Sequence, residues 1–532
     1  MTPFIPDPKS VAGQTLAVQE RTEVLVIGAG PAGLAAGMEA ARLGLSVVLV
    51  DENPTSAETM GENVPLHFGG TMGGAARNPR AMLEAMVASD PGIAEAFEAG
   101  IDIRLGTACW GLYAPGPNLG WLPGPVAGLM DETRSWIIAA GRIVVATGRR
   151  DMGLAFQGWE KEGVAGVTAA ERLATRYGAF AARRAILLGS STESVQSALA
   201  LRAAGVEILA IVEQAAAPLA PAAVLAPLLT GGTTLLLGQV PLAAEGSAQV
   251  EALVLRAIET GAEMRIACDS VLLGIGTVPV IDLLDAAGAQ VAFDAARGGV
   301  VPVLGEAQAT SLTGIYAAGD CSGIWPAKTL DPAIARAEGR RAVNAEVSAM
   351  AAAPSPAYDL GSYRLDWVRA AVIAAEGEPH VCQCEEVTAR EILEVRPPRY
   401  LGWEDASGSG ARHDARDLLS LLGESPPNPD QVKRLTRAGM GLCQGRRCRE
   451  QVTALLALAS GEAYGAIPPA TYRAPVRPMR MSMAARAAQE SQSMAQHWDV
   501  WFGMPAQYLP FWEVPETYTV AGRDKDAEAA SE

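Results

Sequence analysis

Four of the seven cysteines stand in two close pairs late in the sequence, Cys382 with Cys384 and Cys443 with Cys448. Pairs spaced C-x-C and C-x4-C can converge on one tetrahedral set of thiolates, which suits Zn²⁺ or an iron–sulfur cluster. Positive charge and free backbone N–H groups near the second pair favour an anionic cluster. The charge comes from Arg437, Arg446, Arg447 and Arg449, and the N–H groups come from Gly439, Gly441 and Gly445. A [2Fe–2S] cluster is therefore the preferred interpretation, with Zn²⁺, inert core thiols and disulfides as alternatives.

A second chemical pattern lies near the start of the chain, where Gly28, Gly30 and Gly33 form G-x-G-x-x-G. It follows the apolar run 24–27, typical of a buried strand, and precedes an alanine-rich stretch typical of a helix. The first glycine permits a tight turn, the second lets backbone approach a pyrophosphate, and the third lets helix and strand pack closely. Asp51 ends the next apolar strand, where an acid can accept hydrogen bonds from ribose hydroxyls. The pattern predicts a dinucleotide site.

Two later segments are predicted to return the chain to this nucleotide. Residues 142–150 form an apolar strand that ends near Thr147 and Gly148, and residues 310–323 form another that ends in Gly319 and Asp320. A carboxylate at the carboxyl end of a strand can accept hydrogen bonds from a polyol chain. The complete set of expected cofactor contacts is Gly28, Gly30, Pro31, Ala32, Gly33, Asp51, Glu52, Thr147, Gly148, Gly319 and Asp320.

Residues 184–213 repeat the strand–helix–strand rhythm of the first unit and end in Glu213. The turn at Gly189 lacks the second and third glycines, and Glu193 puts a carboxylate where a dinucleotide would bring phosphate. Negative charge at a helix N-terminus opposes anion binding. We therefore expect the fold of a second dinucleotide domain with a degraded nicotinamide site.

The length, composition and net charge of the chain exclude some classes of protein and of binding partner. The chain has 532 residues, 49% of them hydrophobic, and a net charge of −17, which predicts several globular domains and argues against nucleic acid and anionic membranes as partners. Residues 215–238 carry no charge, but their prolines and glycines favour a packed helix, loop and strand over a membrane span. The first ten residues lack a secretory pattern, so a cytoplasmic location is expected.

Together, the glycine motif with Asp51, the Ala146–Gly148 turn and the Gly319-Asp320 pair resemble the two-dinucleotide-domain flavoproteins of the glutathione- and thioredoxin-reductase superfamily. The resemblance covers about residues 22–350 and implies FAD in the first domain. Disulfide reductases of that group carry a close redox-active cysteine pair, whereas Cys109, Cys268 and Cys321 are isolated in this sequence. Disulfide reduction is therefore not expected.

The cysteine-rich segment resembles the small [2Fe–2S] domain of bacterioferritin-associated ferredoxin. Fused behind an FAD domain, it is similar to the α subunit of hetero-oligomeric amino-acid and amine dehydrogenases, including the opine, hydroxyproline, proline and sarcosine enzymes. The resemblance implies that Cys382, Cys384, Cys443 and Cys448 hold the cluster. It further implies a β flavoprotein subunit that oxidises the substrate. FMN at the interface between subunits and a small γ subunit are further candidates.

The predicted fold class is α/β, with two Rossmann-like domains, a small [2Fe–2S] domain built on four cysteines, and a C-terminal arm. The predicted divisions are an arm at 1–22, an FAD domain at 23–180 and 281–350, and a second dinucleotide-type domain at 181–280. A cluster domain at 376–470 with an inserted loop at 403–430 follows, and an aromatic arm with an acidic tail occupies 471–532.

The predicted function is that of an FAD- and [2Fe–2S]-containing electron-transfer subunit of an amino-acid or secondary-amine dehydrogenase or oxidase. No arrangement of residues stands out as a substrate-oxidising catalytic site, which fits a subunit whose partner performs that step. Two alternatives stay open at this point: a stand-alone NAD(P)H-dependent reductase, and a non-catalytic scaffold that binds a nucleotide.

Overall fold

The computed structural model describes residues 18–54, 79–115, 124–348, 358–375, 378–396, 417–481 and 483. The predicted N-terminal arm up to residue 17, the inserted loop as far as residue 416, and nearly all of the aromatic arm lie outside the described residues. None of the helices that the structure describes is long and apolar enough to cross a membrane.

The described helices and strands follow in chain order. The first stretch contains β1 (Glu20–Ile27), α1 (Pro31–Arg42), β2 (Val47–Asp51), α2 (Pro79–Ser89), α3 (Pro91–Glu98), β3 (Asp102–Leu105), β4 (Ala108–Tyr113), β5 (Val126–Met130), β6 (Ser135–Val145) and β7 (Arg149–Asp151). The second contains β8 (Val164–Gly166), α4 (Val167–Thr175), β9 (Arg184–Leu188), α5 (Thr192–Ala203), β10 (Glu207–Glu213), α6 (Ala222–Thr230), β11 (Thr234–Leu237), β12 (Gln239–Glu245), β13 (Ala252–Ala257), β14 (Glu263–Ala267) and β15 (Ser270–Leu273).

The third stretch contains β16 (Thr277–Pro279), α7 (Asp282–Ala286), β17 (Val291–Asp294), β18 (Gly299–Pro302), β19 (Ile315–Ala317), α8 (Pro326–Leu330) and α9 (Pro332–Val343). The last contains α10 (Leu360–Ala371), β20 (His380–Cys382), β21 (Val387–Thr388), α11 (Ala389–Leu393), α12 (Leu418–Glu424), α13 (Pro429–Thr436) and α14 (Arg449–Ser460). Short 3-10 turns lie at Ala295–Arg297, Glu306–Gln308, Gly319–Ser322, Ile373–Ala375, Gln383–Glu385 and Tyr464–Ala466.

The first unit is built on a seven-stranded sheet. Its strand order is β3-β2-β1-β6-β5-β4, and β19 also pairs with β6. Strands β1, β2, β3, β6 and β19 run parallel, while β4 and β5 complete the sheet as an antiparallel meander. Because β19 returns beside β6, the Gly319 turn lies at the same carboxyl edge as the Gly28 turn, where open α/β sheets bind their ligands.

The second unit is a parallel five-stranded sheet in the order β11-β10-β9-β15-β8, with the antiparallel β12-β13-β14 ribbon beside it. Strand β8 pairs with β15 in this sheet, and α4 packs against α5. The predicted boundary at residue 180 places β8 and α4 in the first unit, whereas pairing puts both in the second. The apolar stretch 215–238 forms α6 and β11, which confirms the predicted packed helix, loop and strand.

The described part of the cysteine-rich segment shares its core with the second unit. Trp367 on α10, Cys382, Cys448 and Leu455 on α14 share one buried apolar cluster with Ile186 and other residues of the second sheet. The predicted inserted loop was too long at its C-terminal end, because α12 and the start of α13 lie within 403–430. Both helices have side-chain caps: Asp417 accepts from the Ser420 N–H, and Asn428 accepts from the Asp430 N–H.

Residues after α14 run back over the first unit. The Val476 N–H donates to the Trp110 carbonyl (2.8 Å), and the Tyr472 N–H donates to Asp285 (3.1 Å). The described start of the predicted C-terminal arm is thus a strap that ties the cysteine-rich segment to the first sheet.

Helices α1 and α9 pack with almost no space between them, because α9 presents a glycine at the contact. A Cβ on Gly339 of α9 would lie 1.9 Å from the Ala32 carbonyl oxygen of α1. On its other side α1 packs closely on the glycine turn, since a Cβ on Gly33 would lie 1.8 Å from the Gly28 oxygen. The close contact fixes α1, and with it the first glycine turn, against the turn that follows β19.

Gly339→Ala is therefore expected to lower the free energy of unfolding by about 2 kcal/mol, since the added methyl group forces the two helices apart. Gly423→Ala in α12 is the matched control, because its Cβ would meet nothing within 4 Å and alanine favours a helix over glycine by up to about 1 kcal/mol. Urea unfolding of both variants makes the comparison. Equal effects of the two substitutions would contradict the packing argument.

Candidate cofactor sites

One cavity at the carboxyl edge of the first sheet gathers most of the predicted nucleotide contacts. It is lined by Gly28, Gly30, Pro31, Ala32, Asp51, Glu52, Thr147, Gly148, Gly319 and Asp320. Gly33 does not line it and instead lies beneath the turn, where its missing side chain lets α1 approach Gly28. The sequence motif thus divides into residues that face the cavity and one that shapes it.

The glycine turn leaves open space where a cofactor would approach. A Cβ on Gly28, whose φ is +112°, would lie 2.2 Å from the Ala146 carbonyl oxygen. At Gly30 a Cβ would meet nothing within 4 Å, so no described protein atom occupies the space beside this residue. Gly30 is also the N-cap of α1 and has no side chain to cap it, which leaves N–H groups at the helix start available to a pyrophosphate.

Asp51 and Glu52 have different surroundings. Asp51 accepts from the Ala29 N–H (2.7 Å) and from both nitrogens of Asn53 (2.8 Å each). These bonds fix its carboxylate at the end of β2, where its remaining lone pairs can accept from a ribose. Glu52 pairs with Arg477 (2.5 Å); burial raises the pKa of Glu52, but the Arg477 guanidinium outweighs burial and holds the pKa below its usual value.

The Gly319 turn is held by a buried lysine. The Lys328 ammonium donates to the Gly319 and Gly323 carbonyls (2.8 and 2.9 Å) and pairs with Glu338 (2.7 Å), which accepts from the Gly319 N–H (2.8 Å). Asp320 remains at the cavity, with Arg149 at 3.6 Å. The turn is rigid, while its carboxylate stays accessible.

Sequence reasoning missed the basic lining of this cavity, to which Arg149, Arg172, Arg176, Lys328 and Arg477 contribute. Arg172 and Arg176 are four residues apart around the end of α4, a spacing that puts them on one side of the chain. That spacing was a usable signal, but it depended on knowing that α4 faces the first unit. Arg477 gave no signal, because it reaches the cavity from the far end of the chain.

The four late cysteines come together beside α14. The Cys384 sulfur lies 3.9 Å from the Cys382 sulfur and 3.6 Å from the Cys443 sulfur, and the Gly439 N–H donates to Cys382 (3.4 Å). Cys382, Cys443 and Cys448 are buried, and Cys384 is half-buried. Within the described ranges, no three His, Cys, Asp or Glu side chains surround one point as ligands of a single metal ion.

Glycines and left-handed residues let the second cysteine loop pass close to the first. A Cβ on Gly441 would lie 2.6 Å from the Cys384 sulfur, and Arg437 and Gln444 have φ values of +64° and +52°. The Cys382 thiol raises the pKa of Cys384 to about 11, and the Cys384 thiol and burial raise the pKa of Cys443 well above its usual range. Thiols this close cannot all ionise unless a cation compensates them.

Hydrogen bonds and ion pairs made by arginines lie between the two sites. The Arg446 guanidinium donates to the Cys443 carbonyl (3.0 Å), and the Arg446 carbonyl accepts from Arg150 (2.7 Å). Arg477 joins Glu52 at the first cavity to Asp282 (3.0 Å) at the start of α7. Burial raises the pKa of Asp282, but Arg477 and Arg150 together hold it below its usual value. One network therefore extends from the cysteine loop to the nucleotide cavity.

Residues 22–349, more than half of the chain, match the pyridine nucleotide-disulphide oxidoreductase family, and residues 417–489 match the sarcosine oxidase A3 domain. The chain belongs to the pyridine nucleotide-disulphide oxidoreductase family. It is accordingly an oxidoreductase, and the predicted fold of two dinucleotide domains is confirmed.

Relatives extend the similarity over most of the chain. The opine oxidase A subunit of Agrobacterium tumefaciens (strain Ach5) is 27% identical over 505 residues, covering 89% of this chain and 93% of that one. The sarcosine oxidase alpha subunit of Corynebacterium sp. (strain U-96) is 24% identical over 96% of this chain and 50% of that one. The structure of L-proline dehydrogenase from P. horikoshii has the same fold, with a TM-score of 0.56 at 19% identity over 87% of this chain and 80% of that one. The predicted resemblance to the α subunits of opine and sarcosine enzymes is confirmed.

The second dinucleotide unit retains the tight glycine turn at Gly189. Its own side chains, however, occupy the place where the ribose of a bound nucleotide would lie. A Cβ on Gly189 would lie 2.3 Å from the Gly274 oxygen, the counterpart of the contact at Gly28. The fully buried Glu213, at the end of β10, occupies the place that Asp51 has at the end of β2. It accepts from the Ser190 hydroxyl (2.6 Å) and from the Tyr363 hydroxyl (2.9 Å), which comes from α10. The chain's own side chains thus take the hydrogen bonds that a ribose would make.

At the N-terminus of α5 in the second unit, hydrogen-bonding groups also find partners within the chain. Ser191, the N-cap of α5, accepts from the Ser194 N–H (3.2 Å), and the Ser194 hydroxyl donates to the Gly274 carbonyl (2.6 Å). Glu193 in the first turn is buried. These features agree with the expectation of a degraded nicotinamide site. The sequence indicated Glu193 but gave no indication that α10 covers Glu213.

Burial raises the pKa of Glu213 above its usual value, so the folded chain retains a proton that the unfolded chain releases above a pH of about 4.3. Stability is then lost as the pH rises above that value. We expect Glu213→Gln to lose less stability than the wild type as the pH rises from about 4.3 towards neutral, measured as urea midpoints. Glu207→Gln, at the exposed start of the same strand, should retain the wild-type slope. Parallel slopes for wild type and Glu213→Gln would refute the role of Glu213.

Proposed function

We propose that this chain is the FAD- and [2Fe–2S]-containing electron-transfer subunit of a hetero-oligomeric dehydrogenase or oxidase that acts on an amino acid or secondary amine. The observation that carries the proposal is the presence of two sites in one chain: an open nucleotide cavity and a set of close cysteine sulfurs, with Arg446 and Arg477 in electrostatic contact with Asp282 between them. A closed second dinucleotide unit supports electron entry from a partner rather than from a nicotinamide.

In this proposal the first cavity holds FAD. Gly28 and Gly33 shape the turn, Gly30 leaves room for the pyrophosphate, and the α1 N-terminus attracts its charge. Asp51 accepts from the ribose hydroxyls and Asp320 from the ribityl chain. Pro31, Ala32, Glu52, Thr147, Gly148 and Gly319 complete the contacts. When bound, FAD supplies two-electron chemistry and the cluster one-electron chemistry.

In this proposal Cys382, Cys384, Cys443 and Cys448 hold the [2Fe–2S] cluster. The Gly439 N–H already donates to the Cys382 sulfur, as backbone N–H groups do around such clusters. The Arg447 guanidinium lies over the Trp159 ring (5.3 Å) beside three of the cysteines, and one of its buried nitrogens lacks a partner among the described residues. A cation held there stabilises an anionic cluster.

Substrate oxidation is assigned to a second flavoprotein subunit. Relatives whose names denote an A or an alpha subunit support an assembly with further chains. We propose a β flavoprotein as that partner, with FMN at its contact with this chain; a small γ subunit is a further proposed member. Opines, proline, hydroxyproline, sarcosine and glycine-like amines define the substrate class.

The experiment that tests the function is an anaerobic visible spectrum of the purified chain, with NADH or NADPH added first and dithionite second. We expect flavin and cluster bands that bleach with dithionite only, since Glu213 and Tyr363 occupy the second nucleotide site. Bleaching by NADH or NADPH would establish the stand-alone reductase instead. A colourless chain that still binds nucleotide would establish the scaffold.

Cys443→Ser tests the cluster ligands separately from FAD. We expect loss of the cluster absorbance and of protein-bound iron with the flavin band retained, because Cys443 lies 3.6 Å from Cys384 and outside the first cavity. Cys268→Ser, at a buried isolated cysteine, is the matched control and should keep both chromophores. Iron content is measured alongside the spectrum, and a Cys443→Ser protein that retains iron would overturn the ligand assignment.

A further inference from the structure

A second cavity lies away from the nucleotide site, between the first unit, α10 and α14. It encloses about 40 Å³, room for about three water molecules. Its wall is formed by β16 and β18 on one side and by the Tyr464–Ala466 turn on the other. The chain places three arginines around it: Arg150 on β7, Arg364 on α10 and Arg449 at the start of α14.

Each of these arginines has a guanidinium nitrogen that lacks a hydrogen-bond partner within the described part of the chain. Those atoms are Nε of Arg150, Nε of Arg364, and both Nε and Nη1 of Arg449. Arg364 and Arg449 are 2% and 6% exposed, so water does not reach these donors freely. Buried charged donors without a hydrogen-bond partner are unfavourable, so a group that accepts from them would stabilise the site.

The carboxylate in the wall does not balance this charge. Glu450 pairs with Nη1 and Nη2 of Arg150 (3.0 and 2.5 Å) and therefore neutralises that one arginine. Arg364 uses Nη2 on the Thr277 and Gly298 carbonyls (3.1 and 3.0 Å), and Arg449 lies 3.5 Å from the Tyr472 ring centroid. Neither contact supplies negative charge. Asp282 and Asp285 act on Arg449 electrostatically, but neither lines the cavity.

The two tyrosines in the wall are neutral and add no compensating charge. Burial raises the pKa of Tyr464 to about 12 and raises that of Tyr472 as well. The lining of the cavity therefore contains three arginines but a single carboxylate, several N–H donors without a partner among the described residues, and space for only a few atoms. Those properties suit the oxygens of one phosphate or carboxylate group and exclude a nucleotide.

We propose that this cavity is a binding site for a small oxyanion, either phosphate or carboxylate, recognised by Arg364 and Arg449. The site is separate from the nucleotide cavity and contains none of the four cysteines. It does not depend on FAD or cluster binding, so a failure here would leave the proposed electron-transfer function unaffected.

The test uses the purified full chain with its chromophores and titrates it with sodium phosphate and, separately, with sodium acetate. Sodium chloride holds the ionic strength constant. We expect at least one of the two anions to bind saturably at one site by calorimetry and to raise the melting temperature. Phosphate binding alone identifies a tetrahedral oxyanion site, acetate binding alone identifies a carboxylate site, and binding of both supports a site that accepts either group.

Two variants locate the binding. Arg364→Met should weaken it by at least about tenfold, the value of one charge-assisted hydrogen bond. Thr453→Leu, which fills the cavity while retaining every arginine, should weaken it similarly; Thr453 lies in the wall on α14. Arg184→Met, at a half-exposed ion pair elsewhere, removes the same charge and should leave binding unchanged.

The visible spectrum checks that each variant retains its cofactors and therefore its fold. The proposal is overturned if neither anion binds the wild type saturably. It is also overturned if both cavity variants retain their spectra and bind with wild-type affinity, because the anion is then held elsewhere, for example at the N-terminus of α1.

Discussion

The relative placement of the nucleotide cavity and the cysteine loop depends on the largely buried guanidinium of Arg477. Its partners come from distant parts of the chain: Glu52 at the end of β2 and Asp282 at the start of α7. The Asp282 carboxylate is buried, and a lone carboxylate is unstable away from water, so Asp282 requires the cation. The strap that carries Arg477 follows α14, and α14 begins at the cysteine loop. The ion pairs therefore hold the cysteine loop against the edge of the first sheet, and Arg446 extends the contact to the Cys443 carbonyl.

The second dinucleotide unit retains the fold of the first, but its own side chains bond to one another at the turn where the first unit has a cavity. The tight turn at Gly189 and the parallel sheet persist, because both are needed for packing. The positions that would face a nucleotide have become serines and a buried glutamate that bond to one another and to Tyr363. The face that this unit presents instead is apolar, and α10, Cys382 and α14 pack on it as one core. Function belongs to the site and not to the fold, and in this chain the unit serves as the base of the cysteine-rich segment.

The features that could be predicted from the sequence are those encoded within a few consecutive residues. The glycine turn, the strand that ends in Asp51 and the Gly319-Asp320 turn are each encoded within a few residues, and the structure gathers them at one cavity. The pairing of β8 with β15 is a contact between residues more than 100 positions apart, and nothing local to residues 164–166 indicates which sheet they join. Arg364 and Arg477 look like ordinary charged surface residues in the sequence, and Arg449 is noted there only as a charge near the cysteines. Their burial follows from tertiary packing alone, as does the cover of α10 over Glu213.

The two cavities and the cysteine loop share one property, an excess of arginines over carboxylates. Arg150, Arg364, Arg446, Arg447, Arg449 and Arg477 lie in or between the two cavities and the cysteines, and arginine stays cationic at neutral pH. The carboxylates that face them, Glu52, Asp282 and Glu450, are fewer. A protein interior does not tolerate such a surplus without counter-charge. The pyrophosphate at the first cavity, the thiolates of the proposed cluster and the proposed oxyanion would each supply negative charge next to a different part of this surplus. The excess of arginines over carboxylates among the described residues therefore supports the proposed anionic ligands at these three places.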